Sequence, residues 1–284
     1  SAAGTELARG GEEFDLAPAE LRRTALRFTV PEVAAPTAAV LTLGLRTVSG
    51  EGEPRSFPVM LHPRSKASFP MRRVAIFDPA GTTVAAIARL GWDPPRLKLP
   101  DAEALAKLDL LVIGEDAGAD PALIANGQAV QEFVRRGGTV LALRQQAIDP
   151  AWTGTRLQVT AKKTSMGFIR APHHPVMAGL TDRDLQFWFP DHLVSAGDLV
   201  KPTAGDFTAI CDAALGRAGQ DYVSLLDWRV GAGRYVFTQF ILAPRLGRQP
   251  IADLLLQRLV NWAATARHGH RPAVVAAESG SPVD

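Results

Sequence analysis

The sequence predicts an α/β protein, a mostly parallel sheet flanked by helices and preceded by a partial β-sandwich. Three observations predict it. Continuous apolar runs within residues 73–78, 109–114 and 139–143 alternate with helix-like stretches at 82–90 and 121–136, and strand–helix–strand with short connections gives parallel strands with right-handed crossovers. Ahead of these runs, residues 26–30 and 39–45 alternate with a period of two, as half-buried antiparallel strands do. In the last helix-like stretch, 250–265, Ile251, Leu254, Leu255, Leu259 and Trp262 recur near helical spacing, which suits a helix laid over a sheet face.

In chain order, residues 26–30, 39–45 and 57–61 read as three consecutive antiparallel strands. Residues 1–64 are therefore assigned to the partial sandwich, and the polar stretch 65–72 to a linker. Residues 73–78 form the first buried strand, closed by the turn Asp78-Pro79-Ala80-Gly81, with Thr82 as the expected N-cap of the following helix. The second strand, 109–114, leads through a helical region at 121–136 to Gly137-Gly138 and the third strand, 139–143. Further strands are expected at 156–160, 207–211, 222–228 and 234–240, the last two joined through Val230-Gly231-Ala232-Gly233 as a hairpin. The α/β domain spans 73–266, and 267–284 is a flexible tail outside the core.

With 284 residues, 46% apolar and 21% charged, the chain has the composition of a globular protein with a sizeable core. A formal charge of +2 from 31 basic and 29 acidic residues leaves no global field for nucleic acid or an anionic membrane. Basic pairs such as Arg22-Arg23 and Lys162-Lys163 lack the interleaved aromatics of a nucleic-acid surface. No run of 18 apolar residues is present, so no membrane span is expected. The start at Ser1 suggests a processed or excised piece, expected to be periplasmic or secreted rather than cytoplasmic. The single cysteine, Cys211, excludes an internal disulfide and a cysteine-rich zinc site, and a free cysteine in a strand is expected to be a packed core thiol. Residues 78–83 have neither the glycine spacing of a dinucleotide fingerprint nor a P-loop ending. No cofactor and no metal are expected.

Open α/β sheets bind ligands at the carboxyl ends of their strands. Glu115 and Asp116 follow the second strand there, placed either to bind a sugar hydroxyl or to cap the next helix. The third strand ends in Leu143-Arg144-Gln145-Gln146. A nucleophile elbow would present Ser or Cys at that exit; Leu143 or Arg144 fills the position here, so the frame of a hydrolase site is present without the group that does the chemistry. No catalytic residue is assigned. Arg144 and Gln145 are candidate binding residues of the same rim. Phe187-Trp188-Phe189-Pro190-Asp191-His192 concentrates three rings beside polar groups; Trp188, Asp191 and His192 are candidate sugar contacts, with core packing and interdomain docking as the other readings.

The phrases Phe133-Val134-Arg135-Arg136-Gly137-Gly138-Thr139-Val140-Leu141, His174-Pro175-Val176-Met177-Ala178-Gly179-Leu180 and Gly231-Ala232-Gly233-Arg234-Tyr235-Val236-Phe237 resemble the class I glutamine amidotransferase-like superfamily, most of all the domains of that type in bacterial glycoside hydrolases. The resemblance implies a flavodoxin-like sheet. Phe28-Thr29-Val30-Pro31-Glu32 and Phe57-Pro58-Val59-Met60-Leu61-His62-Pro63 resemble the closing half of an immunoglobulin-like domain in glycoside hydrolase family 2. Those enzymes use two glutamates on a (β/α)8 barrel, and no eightfold βα pattern occurs here. The resemblance also places His174 near the cleft, where adjacent histidines with no third ligand do not make a metal site.

The resulting expectation is a non-catalytic accessory region of a family 2-like carbohydrate-active enzyme. Its partners would be other domains of the same polypeptide, a homo-oligomer, or carbohydrate. Two alternatives stand beside it: a stand-alone carbohydrate-binding module, and an unorthodox hydrolase built on Glu115, Arg144, His174 and Asp191.

Overall fold

The unbroken apolar runs become the buried strands of one sheet in the computed structural model, which describes residues 1–2, 4–22, 29–63, 68–70, 73–213 and 221–265. Contacts divide the chain into Ser1–Lys66 and Ala67–Asp284. Most of the first expected strand, 26–28, lies outside the described residues, as does the tail 267–284.

In the first unit, β1 (Thr37–Leu43), β2 (Arg46–Thr47), β3 (Gly50–Glu51) and β4 (Arg55–Leu61) form two antiparallel ribbons, β1 with β4 and β2 with β3. The register Leu41↔Phe57 and Ala39↔Val59 puts those four side chains on one face of the longer ribbon. Phe57 and Val59 remain exposed at 45% and 38%. Among the described residues this ribbon has two strands, where an immunoglobulin-like sandwich has about seven. Val40 exchanges both backbone hydrogen bonds with Ser1, so its groups point away from β4. The opposing Pro58 therefore lacks its N–H on the outer edge of β4, where proline is tolerated and blunts edge pairing.

The second unit contains β5 (Val74–Phe77), α1 (Thr82–Ile87), α2 (Ala102–Leu105), β6 (Leu110–Ile113), α3 (Pro121–Ala125), α4 (Gly127–Arg135), β7 (Thr139–Ala142) and α5 (Pro150–Thr153). It continues with β8 (Lys163–Thr164), β9 (Gly167–Ile169), β10 (Ser195–Ala196), β11 (Leu199–Val200), β12 (Asp206–Ala213), β13 (Tyr222–Val230), β14 (Gly233–Thr238) and α6 (Pro250–Thr265). The central sheet has eight strands in the order β5-β6-β7-β14-β13-β12-β9, with β11 paired to β13. It is parallel from β5 to β14 and antiparallel beyond. All residues of β5, β6 and β7 are buried, as expected for strands covered on both faces.

One face packs against α1 and α6, through Val84, Ile87, Leu255, Leu256 and Leu259. The other packs against α2 to α5, through Leu105, Leu123, Val130, Phe133 and Trp152. Residues 95–97 add to the outer edge of β5, with Ile76 bonded to Pro95 O and Leu97 N. The chain leaves β5 outward and returns on the other side as β6, a topological switch point between those two strands. Ligands of open α/β sheets bind at such a point.

Several boundaries differ from the sequence expectation. The helix at 82–90 is α1 followed by a 3-10 turn, Ala88–Leu90, and its N-cap is Gly81 at φ 70°, not Thr82. The capping carboxylate comes from Asp78, which accepts from Val84 N at 2.8 Å. The helical region 121–136 breaks at Asn126, whose side chain turns back to Ala122 O. Residues 156–160 do not form a strand; only Val159 makes a bridge, to Leu199, because β11 offers a partner of two residues. The hairpin forms as expected, with Gly231 at φ 62° in the turn between β13 and β14. Within the expected linker, Phe69 stacks on Trp92 at 4.7 Å and Ser68 O accepts from Asn261, so these two residues dock onto the α/β unit.

Candidate functional site at the carboxyl rim

Because β5, β6, β7 and β14 are mutually parallel, their carboxyl ends share one rim. Asp78 leaves β5, Gly114-Glu115-Asp116 leave β6, Arg144-Gln145-Gln146 follow β7, and Gln239 follows β14.

Gln145 follows the exit of β7, just past Leu143 and Arg144, which the sequence places at the elbow position, and it is buried at 1% exposure. Its Nε2 donates to Gly114 O and Leu143 O at 2.8 and 2.6 Å, and its Oε1 accepts from Gly118 N at 2.6 Å. Its own backbone is held by a second carboxamide: Gln145 N donates to Gln239 Oε1, and Gln239 Nε2 donates to Gln145 O. Gln239 thereby continues the β7–β14 ladder by one side-chain pair. Gly118 must be glycine, since a Cβ there would lie 2.6 Å from Ala147 O and 2.8 Å from Gln145 Oε1.

Around this plug lies a charged cluster. Arg144 Nη2 contacts Asp116 Oδ2 at 2.7 Å and Glu115 Oε2 at 3.4 Å. Asp116, at φ 59° in a left-handed conformation that aspartate tolerates, also accepts from Gln146 N and Gln146 Nε2, both at 3.0 Å. Glu115 is tied on both sides: its N–H donates to Thr83 Oγ1 and its Oε1 accepts from Ala243 N. Burial pushes the Glu115 carboxyl above its ordinary range, against the opposing pull of Arg144 and the Ala243 N–H. At the switch point, Asp78 Oδ1 is buried with no donor among the described residues, and a Cβ on Gly114 would come within 2.8 Å of it.

Two residues beyond Ala243, Arg245 reaches Asp191. Desolvation opposes ionisation of Asp191, but the Leu193 N–H and the Arg245 guanidinium outweigh it and hold the carboxyl below its ordinary range. Asp191 thus reaches the rim through Arg245. His192, exposed at φ 63°, meets the ring of Phe187 edge-on at 6.4 Å.

The structure corrects three of the site expectations. Trp188 is 1% exposed; its Nε1 donates to Asp184 O and its ring packs 5.9 Å from Phe240. It is a core residue, and its neighbours Phe187 and Phe189 carry the exposed rings, at 56% and 71%. His174 is not at the cleft. Its ring packs edge-on against Trp262 at 4.4 Å, over which Arg234 also lies. Arg234 pairs with Thr139 at the start of β7, about five strand residues or ~15 Å from the rim. Burial first, then Arg234, pushes His174 down to about 4; its Nδ1 caps the turn Pro175–Met177 by accepting from Val176 N. The hydrolase constellation of Glu115, Arg144, His174 and Asp191 is therefore not assembled. Nor do Glu115 and Asp116 cap the next helix, since Asp120 does so through Ala122 N.

Sequence reasoning missed Gln239, Arg245 and Thr83. The only signal for Gln239 was its place after an apolar strand, opposite the exit of β7. Cys211 is fully buried in β12, with its thiol pushed well up by desolvation and then by Asp212. Among the described residues no three His, Cys, Asp or Glu side chains are grouped to hold a metal, and no helix is long and apolar enough to cross a membrane. The rim as built binds and orders polar groups. It offers a carboxyl whose ionisation is opposed by burial and a guanidinium, with the buried Gln145 carboxamide between the strand exits.

No family model matches the chain, and no curated protein matches it. Similar solved structures include a ThuA-like protein from Bacteroides uniformis, 12% identical with a TM-score of 0.48 over 72% of this chain and 96% of that one. A cytoplasmic protein from Salmonella typhimurium is 12% identical with a TM-score of 0.44 over 79% of this chain and 95% of that one. A β-galactosidase from Rahnella sp. R3 is also 12% identical, with a TM-score of 0.44 over 68% of this chain and 31% of that one.

Proposed function

We propose that the chain is a non-catalytic accessory region of a carbohydrate-active enzyme similar to glycoside hydrolase family 2, with an amidotransferase-like α/β domain whose catalytic position has become structural. The observation that carries this reading is Gln145: the exit of β7 leads not to a free nucleophile but to a buried carboxamide spent on Gly114, Leu143 and Gly118. A side chain committed to three backbone groups cannot attack a substrate. The work of such a domain is docking, to other domains of its polypeptide or to further copies, and shaping the surroundings of an active site elsewhere. Its test is turnover by the intact chain with glutamine and a panel of nitrophenyl glycosides. Rates at the uncatalysed background are expected; turnover that disappears in Glu115→Gln would overturn the proposal.

A second reading, carbohydrate binding, is favoured by one observation: Phe187 and Phe189 expose two rings beside His192 and the Asp191–Arg245 pair. Rings flanked by fixed polar groups suit a sugar face. Glycan affinity of the chain that is lost in Phe189→Ala with an unchanged melting temperature would select this reading over docking.

A further inference from the structure

Beyond Gln146 the chain lines an open cavity of about 500 Å³ at the surface, within the range of small-molecule sites. Ile148, Leu157 and Val159 supply its apolar wall, and Gln146, Arg156 and Gln158 its polar groups. Ile148 and Leu157 are each only 7% exposed, so the wall is part of the folded core. Two of the three polar side chains have not been used by the fold. Among the described residues neither the Arg156 guanidinium nor the Gln158 carboxamide has a hydrogen-bond or ion-pair partner; Gln158 bonds only through its backbone O, to Val200 N.

Gln146 differs in being fixed in place. Asp116 accepts from both its N–H and its Nε2, at 3.0 Å each, and Arg144 in turn anchors Asp116 at 2.7 Å. The carboxamide is thus held with its Oε1 unspent, a preorganised acceptor beside an uncommitted guanidinium. A guanidinium pairs with carboxylate or phosphate through parallel N–H donors. Carboxamides read hydroxyls from both sides, as donor and acceptor. An apolar wall of this size accepts the C–H face of a ring.

We propose that this cavity is a binding site for a small hydroxylated anion, a sugar acid or a sugar phosphate, held by Arg156 through its charge and by Gln146 and Gln158 through its hydroxyls. The site rests on the cavity alone; only the use of sugar-derived probes follows from the proposed carbohydrate context. A chain without turnover can still bind here, and a chain with turnover can fail to.

The test is titration of the whole chain with glucuronate, glucose 6-phosphate and glucose, read by calorimetry and by the backbone amide shifts of residues 146–159. Saturable binding of either anion is expected, with glucose weaker by about tenfold or more, as loss of a charged hydrogen bond implies. The tighter anion identifies the charged group the site takes. Arg156→Ala should weaken the anion by a similar factor, and Arg156→Lys should restore part of the loss. Because Arg156 is exposed and has no partner among the described residues, both variants should melt as the parent does. Glucose binding as tightly as both anions, affinity unchanged in Arg156→Ala, or no shifts at 146–159 with any probe would each overturn the proposal.

Discussion

At the scale of single residues, carboxylates shift in opposite directions according to what surrounds them. Glu115 and Asp191 both face arginines, yet burial raises the first and the hydrogen-bonded ion pair lowers the second. His174 shows how such a shift becomes a property of the whole fold. Its folded value is lowered from 6.5 to about 4, so the folded state favours the neutral ring. The associated stability is present above pH 6.5 and is lost as pH falls towards 4. Asparagine also caps helical turns, so His174→Asn should keep the bond to Val176 and remove the titration. Urea midpoints between pH 7 and pH 4 should then fall more steeply for the parent than for the variant; parallel profiles would disprove the assignment. The burial of Trp188 was not legible in the sequence, because three adjacent aromatics report hydrophobicity but not which ring turns inward. The side chain that settles it, Phe240, lies more than fifty positions away in the chain.

Elements were legible where a local pattern alone decides them. Four-residue strands buried on both faces leave unbroken apolar runs, and β5, β6 and β7 lie within the expected ranges. The hairpin and α6 follow equally from glycine placement and helical spacing. Residues 156–160 misled because their alternation resembles that of a strand, while pairing depends on a distant partner that spans two residues. The link between β7 and β14 past their ends belongs to the same tertiary class, since it is made by Gln145 and Gln239, ninety-four positions apart. Gln145→Ala would strip partners from Gly118 N and Leu143 O, while Gly114 O keeps the Ala117 N–H. Each buried group left unpaired costs about 1–3 kcal/mol, so a loss of at least about 2 kcal/mol is expected from urea denaturation. A variant as stable as the parent would show that water replaces the carboxamide.

For the whole molecule, the two units differ in what they bury. The second holds two apolar layers, one on each face of its sheet. Among the described residues of the first, Ala39 is the one buried apolar side chain, and two-stranded ribbons are marginal alone. A fragment spanning residues 68–265 should therefore fold independently, melting within about 5 °C of the full chain by circular dichroism, a shift comparable to ~1 kcal/mol. An unfolded fragment would show that the first unit contributes to the core of the second. The domain order was legible from the change of period near residue 73, since a switch from alternation to unbroken runs marks a change in how sheets are covered. The position of residues 95–97 beside β5 was not, as one bridge leaves no periodic trace.

The carboxamide of Gln145 also bears on how this turn can vary. A position that holds three backbone groups cannot exchange its side chain for serine or cysteine without losing those bonds, so each such variant begins as a less stable protein. Selection for folding alone is enough to keep the glutamine in place.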